Sequence, residues 1–552
     1  MRQLTLLLCS WTLLASVTWC DEGHHHTLTE QEIGSIRFLT SCATNTETAF
    51  NHAVALLHSF QYEDSRHAFE TISAQDPACA MAYWGIAMSY YHGLWRNGDT
   101  SAGRRAWERA HDMAQTTSQP DRKTTARENA YIDALGEIYR ADGSKDDHKD
   151  SNKDGNDEYS RAQAYEQKMG VLAAAYPDDS EAAIFHALAL DVTAPKTDKT
   201  FSHQRQCGEI LDPIFQKQPH HPGVAHYLIH CYDNPVLAEQ GLTAARAYAK
   251  IAPTSAHANH MPSHIFTRVG SWEESIRSNQ RSSDLAAQAE TASKNGEARD
   301  QRLHALDYLE YAYLQSGQVK NAKAVLEAMN ALPPVAGLTL TGNYALAAIP
   351  ARYTMERAQW KEASSLRPLS EGVPWSQALS WLAIGVGSAR SNQLEQAAQA
   401  ERMLATLRDA AKNNTYWSNQ VEVQRQEVAA WIADANGKHD NASAQMRSAA
   451  DFEESMDKDA VTPGAITPAR EMLAEMLLSE KHPQEALTEY EAVLKIAPKR
   501  FNAVYGAARA ADASGNPPLA DRYFRELLQI SVGDERAELA VARKKVALTA
   551  AK

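Results

Sequence analysis

The sequence predicts an all-α chain of stacked helical repeats. Three observations predict it. Apolar residues recur at helical spacing almost everywhere. Runs with strand-like alternation are scarce. Several segments share one pattern: a helix, a short turn, a second helix carrying Ala and an aromatic residue, then Pro. In "TPAREMLAEMLLSEKHPQEALTEYEAVLKIAPKR", Ala474 and Ala486 are small where two helices must approach closely, Tyr490 fills the gap between them, and Pro498 ends the second helix. A chain of 552 residues would ordinarily divide into several domains, but a repeat array escapes that rule. The content of 44% hydrophobic residues supplies a large core, and the net charge of -14 argues against nucleic acid or an anionic membrane surface as the main partner.

The pattern resembles the tetratricopeptide repeat (TPR), whose unit is about 34 residues. Aligning the terminal Pro of each unit puts starts at Thr46, Ala80, Ser180, Pro222, Ala256, Thr467 and Phe501. Gly317 and Ala322 place another at Leu303, and weaker units begin near Tyr344, Ala378 and Val423. The resemblance covers most of residues 46–530. It implies a right-handed solenoid in which the first helix of each unit lines a concave groove.

Along the chain, residues 1–20 carry Arg2 and an apolar run too short to favour a spanning helix, which predicts a secretory signal peptide. The protein is then exported, periplasmic or extracellular. A lipid anchor on Cys20 is disfavoured because bulky Trp19 precedes it. An N-terminal segment (21–45) leads into N-terminal repeats (46–140). Residues 141–158, "ADGSKDDHKDSNKDGNDE", read as a flexible acidic insertion. Inside it "DSNKDG" opens like a calcium loop, but Arg161 stands where the closing Glu belongs. Central His-rich repeats (159–335), degenerate helical repeats (336–460) and C-terminal repeats (461–552) follow. No later stretch approaches the roughly 20 apolar residues that a transmembrane span needs. Four cysteines lie beyond the signal; Cys42–Cys79 and Cys207–Cys231 is the simplest pairing, and four free thiols are the alternative.

The chemistry sits in "HPGVAHYLIHCYDNP" and "AHANHMPSHIFTRVG". In repeat register His226 and His230 occupy positions 5 and 9 of one unit, and His257, His260 and His264 occupy positions 2, 5 and 9 of the next. His304 and Asp307 follow at positions 2 and 5 of the unit from Leu303. The TPR resemblance implies that these positions face the groove. Two His-x3-His pairs on adjacent helices suit a transition metal such as zinc, copper or iron. The simplest arrangement is one tetrahedron of His226, His230, His260 and His264, with His257, His304 and Asp307 as further or outer ligands. A metal-free ligand groove and a purely structural role are the alternatives. Pro262 bears on the metal reading: either a helix starts near it, which leaves His260 at the cap and pointing differently from His264, or the helix kinks there. His58 and His92 are weaker candidates for a second ligand set, and His186 falls at a packing position.

Together these motifs resemble a group of bacterial exported TPR proteins, whose members also carry segments like "ACAMAYWGIAMSYYHGLW" and "RFNAVYGAARAA". The resemblance implies the fold and an exported location, and no reaction. No His-Glu-x-x-His, Gly-x-Ser-x-Gly or phosphate-binding Gly-rich loop is present. Two functions remain: a scaffold holding a peptide or protein partner in its groove, and a metalloenzyme using a His-ligated transition metal.

Overall fold

The computed structural model describes residues 29–550, apart from 96–97, 117–122, 141–154, 293–295, 370–371 and 460. The expected signal peptide and the first five residues of the calcium-like loop (150–154) lie outside the described residues; its remainder, Gly155 to Arg161, is helical. Those described form helices and connectors, with no strand among them. Each helix packs on its successor, so the chain is a TPR-like helical solenoid.

Repeat register places many first helices within a residue or two of where they form. Helices span Glu47–His58, Ala80–Tyr90, Ser180–Val192, Pro222–Tyr232, Ala469–Ser479 and Phe501–Ala513. The small-residue logic holds at the level of atoms. Tyr490 is buried, and a Cβ at Gly506 would lie 2.2 Å from its ring, closer than any packed side chain tolerates. In the middle of the chain the helices start earlier than the register expects, at Gly296, Leu340, Pro374 and Thr415. They run for 16 to 21 residues. The unit length there departs from TPR, which is why the register is weak. The helix Gly155–Ala175 also begins inside the stretch expected to be a connector, and it packs against Ala126–Tyr139.

The solenoid folds back on itself. Gly270, at φ +67°, turns the chain after Arg268, and a Cβ there would sit 2.5 Å from the Pro498 carbonyl. Trp272 donates its indole N–H to the Lys499 carbonyl (3.1 Å). The N-terminal helix Glu47–His58 reaches the central helix Pro222–Tyr232. The inner wall of the central repeats is therefore covered from both ends of the chain.

Both simplest disulfides are formed, Cys42–Cys79 and Cys207–Cys231, with Cα atoms 4.8 and 6.1 Å apart. The second closes a loop of 24 residues and ties the helix Ser202–Lys217 to the one bearing His226 and His230. Removing it frees the unfolded chain by about 3 kcal/mol. The Cys207→Ala/Cys231→Ala variant is expected to lose about that much unfolding free energy in urea, and an unchanged midpoint would refute the assignment.

Candidate metal centre

The site is built by three successive first helices. Pro222 opens the helix Pro222–Tyr232 at its first position, where a missing N–H costs nothing, and the His221 ring accepts the Val224 N–H (3.3 Å) to cap it. One turn separates His226 from His230, so both rings face inward. Ser255 caps the short helix Ala256–His260 by accepting from the Ala258 N–H. Pro262 then starts a new helix, Pro262–Arg268, after Met261 at φ -52° and ψ -38°. Because Met261 stays in the helical region, the break does not turn the chain. The Nε2 atoms of His260 and His264 lie 3.0 Å apart, so the two rings look the same way. The helix Gly296–Gln315 supplies His304.

These six histidines do not form the single tetrahedron expected from spacing. They form two triads. In the first, His226 Nε2 lies 3.1 Å from His230 Nε2 and 3.0 Å from His257 Nε2. In the second, His260 and His264 are joined by His304, whose ring centroid is 4.2 Å from that of His260. Within each triad the ligating atoms lie within 4.8 Å of one another. Nitrogens bound at about 2.0–2.1 Å to one ion stand about 3.0–3.4 Å apart, depending on the angle at the metal. The triads are neighbours: the His230 and His264 rings are 6.2 Å apart. Asp307 is in neither: its Oδ1 pairs with Arg352, and its Oδ2 is buried without a hydrogen-bond partner.

Hydrogen bonds on the far side of the rings set their tautomers. His226 Nδ1 lies 2.7 Å from the His58 carbonyl, which only accepts, so Nδ1 carries the hydrogen. Asn279 donates its Nδ2 to the Ser275 carbonyl (2.8 Å), which leaves its Oδ1 to accept from His260 Nδ1 at 2.7 Å. His264 Nδ1 donates to Asp233 Oδ2 at 2.9 Å. Burial would raise the Asp233 carboxyl, but Lys458 and Arg268 beside it hold it well below its usual value, so it is an anion. All three rings therefore present a bare lone pair at Nε2. The lone pairs of His260 and His264 face each other at 3.0 Å. Two acceptors at that distance repel unless a cation lies between them. Both ring nitrogens of His304 are buried with no hydrogen-bond partner, which costs about 1–3 kcal/mol per group unless something binds them. In the first triad, one His226 lone pair stands within reach of two other nitrogens.

The centre is closed to bulk water. His226 is 0% exposed, and even His257 is only 9% exposed. The open groove wall expected for these positions is thus corrected: the Phe60 ring, 4.4 Å from His226 and 5.6 Å from His257, lies over the first triad. Tyr308 stands against the second at 4.8 Å from His260, and its hydroxyl donates to the Thr462 carbonyl (2.9 Å). Burial lowers the affinity of all six rings for a proton, in five of them well below the ordinary 6.5. Six neutral imidazoles result.

Other clusters contrast with these. His58 and His221 donate to the two oxygens of Glu181 at 2.9 and 2.8 Å, and the Tyr227 hydroxyl donates to His58 Nδ1 at 2.8 Å. Every ring nitrogen there is used, so this group is a finished hydrogen-bond network and not a ligand set. It positions the His58 carbonyl that orients His226. His92 stacks on Tyr62 at 4.0 Å, apart from His58, and His186 bonds Glu166 at 3.0 Å as a packing histidine does. Sequence spacing did not reveal Asp233, Asn279, Glu181 or Phe60. Asp233 alone left a signal, standing three residues after His230.

No family model matches the chain, and no curated protein matches it. Among solved structures it is similar to the crystal structure of yeast Tom70, with 11% identity, a TM-score of 0.31, and coverage of 85% of this chain and 96% of that one. The repeat fold rests on the chain's own helices.

The Glu181 network carries a pH dependence. Burial raises its carboxyl, yet His221 and His58 more than offset this and hold it at about 2 against an ordinary 4.5. A lowered carboxylate stabilises the fold above its unfolded value and loses that contribution as pH falls from 4.5 toward 2. Glu181→Gln is expected to cost about 2–3 kcal/mol at neutral pH, with the deficit shrinking across that acid window. Urea melts at several pH values check this, and a deficit independent of pH would contradict it.

Proposed function

We propose that the chain is an exported metalloprotein whose helical-repeat scaffold buries two transition-metal ions, one per histidine triad, for redox chemistry on a small molecule such as dioxygen. The facing lone pairs of His260 and His264 carry this reading. Three imidazoles per ion leave a further position open, as in sites that act on a substrate and unlike closed structural ones. A donor set without carboxylates suits zinc, copper, iron or nickel and disfavours magnesium, calcium and manganese.

Charge narrows the choice. Six neutral rings offset no positive charge, and a buried charge is costly. Copper binds most tightly of the divalent series, and it is also stable as a monovalent ion, which halves the charge to be buried. Held by the two triads, a pair of cuprous ions would supply the two electrons that, with two protons from solvent, reduce one dioxygen to hydrogen peroxide and leave both ions cupric. Copper is therefore the favoured metal, with zinc and iron as alternatives. Two disulfides agree with an oxidising compartment outside the cytosol. A peptide lying on the histidine wall is disfavoured, since those rings are buried.

The test is elemental analysis of the folded protein after separate reconstitution with copper, zinc and iron. About two copper ions per chain are expected, falling to about one in His226→Ala and in His264→Ala and staying at two in Asp307→Asn. Less than half an ion of any metal per chain, with helical content intact, would overturn the reading. Asp233→Asn is expected to weaken copper at the second triad by about 10–100-fold, because the carboxylate fixes the tautomer of His264 and raises its basicity. Competition with a chelator of known affinity measures this, and unchanged affinity would remove Asp233 from the site.

A further inference from the structure

Beside the histidines lies a cavity of about 390 Å³ that no part of the metal reading uses. It sits between the helix Thr415–Ala435, the helix Pro374–Arg390 and the segments 456–458 and 462–468. That volume falls in the range of small-molecule sites. Much of its wall is apolar: Leu379, Leu382, Val423 and the Trp417 and Tyr344 rings all line it. Such a wall holds the body of an organic ligand by burial.

The basic residues of the wall are spoken for: Arg268 and Lys458 pair with Asp233, Arg500 pairs with Glu471, and Lys199 is exposed to solvent. The buried side-chain atoms of the wall left without a partner are all oxygens. Gln424 Oε1, Glu427 Oε2 and Thr467 Oγ1 all belong to lining residues, and each is buried without a hydrogen-bond partner. Gln424 and Glu427 are three apart on one helix, so they share a face. Each of the three oxygens can accept a hydrogen bond. Glu427 is 1% exposed, so water does not satisfy it cheaply. Glu453, another lining residue, faces the same space. Burial first, and then its neighbour Glu453, push the Glu427 carboxyl well above its ordinary value. Unpartnered oxygens lining an apolar cavity suit a ligand that donates hydrogen bonds, and a cation placed there would also return the Glu427 carboxyl to its ionised form.

We infer that this cavity binds a small organic cation, an ammonium or guanidinium group carried on an apolar body, with the cationic head at Gln424, Glu427 and Thr467 and the body against Trp417, Leu379 and Leu382. The aromatic wall adds a favourable face for the cation. The inference does not depend on metal in the triads. The two sites are neighbours nonetheless: Arg268 and Lys458 line the cavity and also hold Asp233, the partner of His264. A bound ligand lies one ionic layer from the second triad.

Three probes of one shape and different charge test it by titration calorimetry: tryptamine, its neutral alcohol analogue tryptophol, and the anion indole-3-propionate. Tryptamine is expected to bind at least ten-fold more tightly than tryptophol, and the anion more weakly still. Glu427→Gln keeps the shape and removes the charge, and its thermal unfolding shows whether it folds. In that variant tryptamine is expected to fall to the affinity of tryptophol, while His264→Ala leaves tryptamine binding in place. Equal affinity for amine and alcohol, a preference for the anion, absence of tryptamine binding at millimolar concentration, or loss of binding in His264→Ala but not in Glu427→Gln would each overturn the inference.

Discussion

The hydrogen bonds behind the rings govern this molecule. A histidine in water chooses its tautomer freely, but here the choice is made by the His58 carbonyl, Asn279 and the Asp233 carboxylate. Each takes the hydrogen of Nδ1 and so exposes the lone pair of Nε2. The Asp233 anion in turn needs Arg268 (2.8 Å) and Lys458 (2.9 Å) to remain charged where it is buried. These partners come from both sides of the centre in sequence. The repeats must therefore close around the histidines before the lone pairs can face one another.

Closure explains why the histidines stay buried and polar together. An uncovered first helix would offer them water, and each ring would solvate separately. Phe60, from the turn after the first described repeat helix, and the segment around Thr462 remove that option. Six imidazoles with little water must then satisfy one another or bind something else. The Glu181 group shows what a satisfied cluster looks like, with each nitrogen matched to a donor or acceptor. His304, with neither nitrogen matched, shows the opposite.

Much of the fold was legible because TPR packing is local. A small residue opposite an aromatic, a turn, and a terminal proline act within one unit, so Ala474, Gly506, Tyr490 and Pro498 can be read without knowing what lies elsewhere. The register weakened where helices lengthened beyond the unit, as in Thr415–Ala435, because helix length there answers to neighbours across the solenoid. Candidate ligands were legible for the same reason. His226, His230, His260 and His264 are paired by one helical turn, and repeat spacing aligned the two pairs.

By itself the sequence determined that helices would stack and that histidines would gather on one wall, since both follow from spacing along a helix. Tertiary structure decided the rest. It divided the histidines into two triads instead of one tetrahedron, because His257 and His304 stand nearer to opposite pairs than those pairs stand to each other. It let His260 and His264 converge across Pro262, because Met261 keeps helical dihedrals and the proline ring needs no partner at a helix start. It paired Asp307 with Arg352, because a guanidinium offers a buried carboxylate more than a neutral ring does. Those outcomes depend on residues far apart in the chain, which no local spacing encodes.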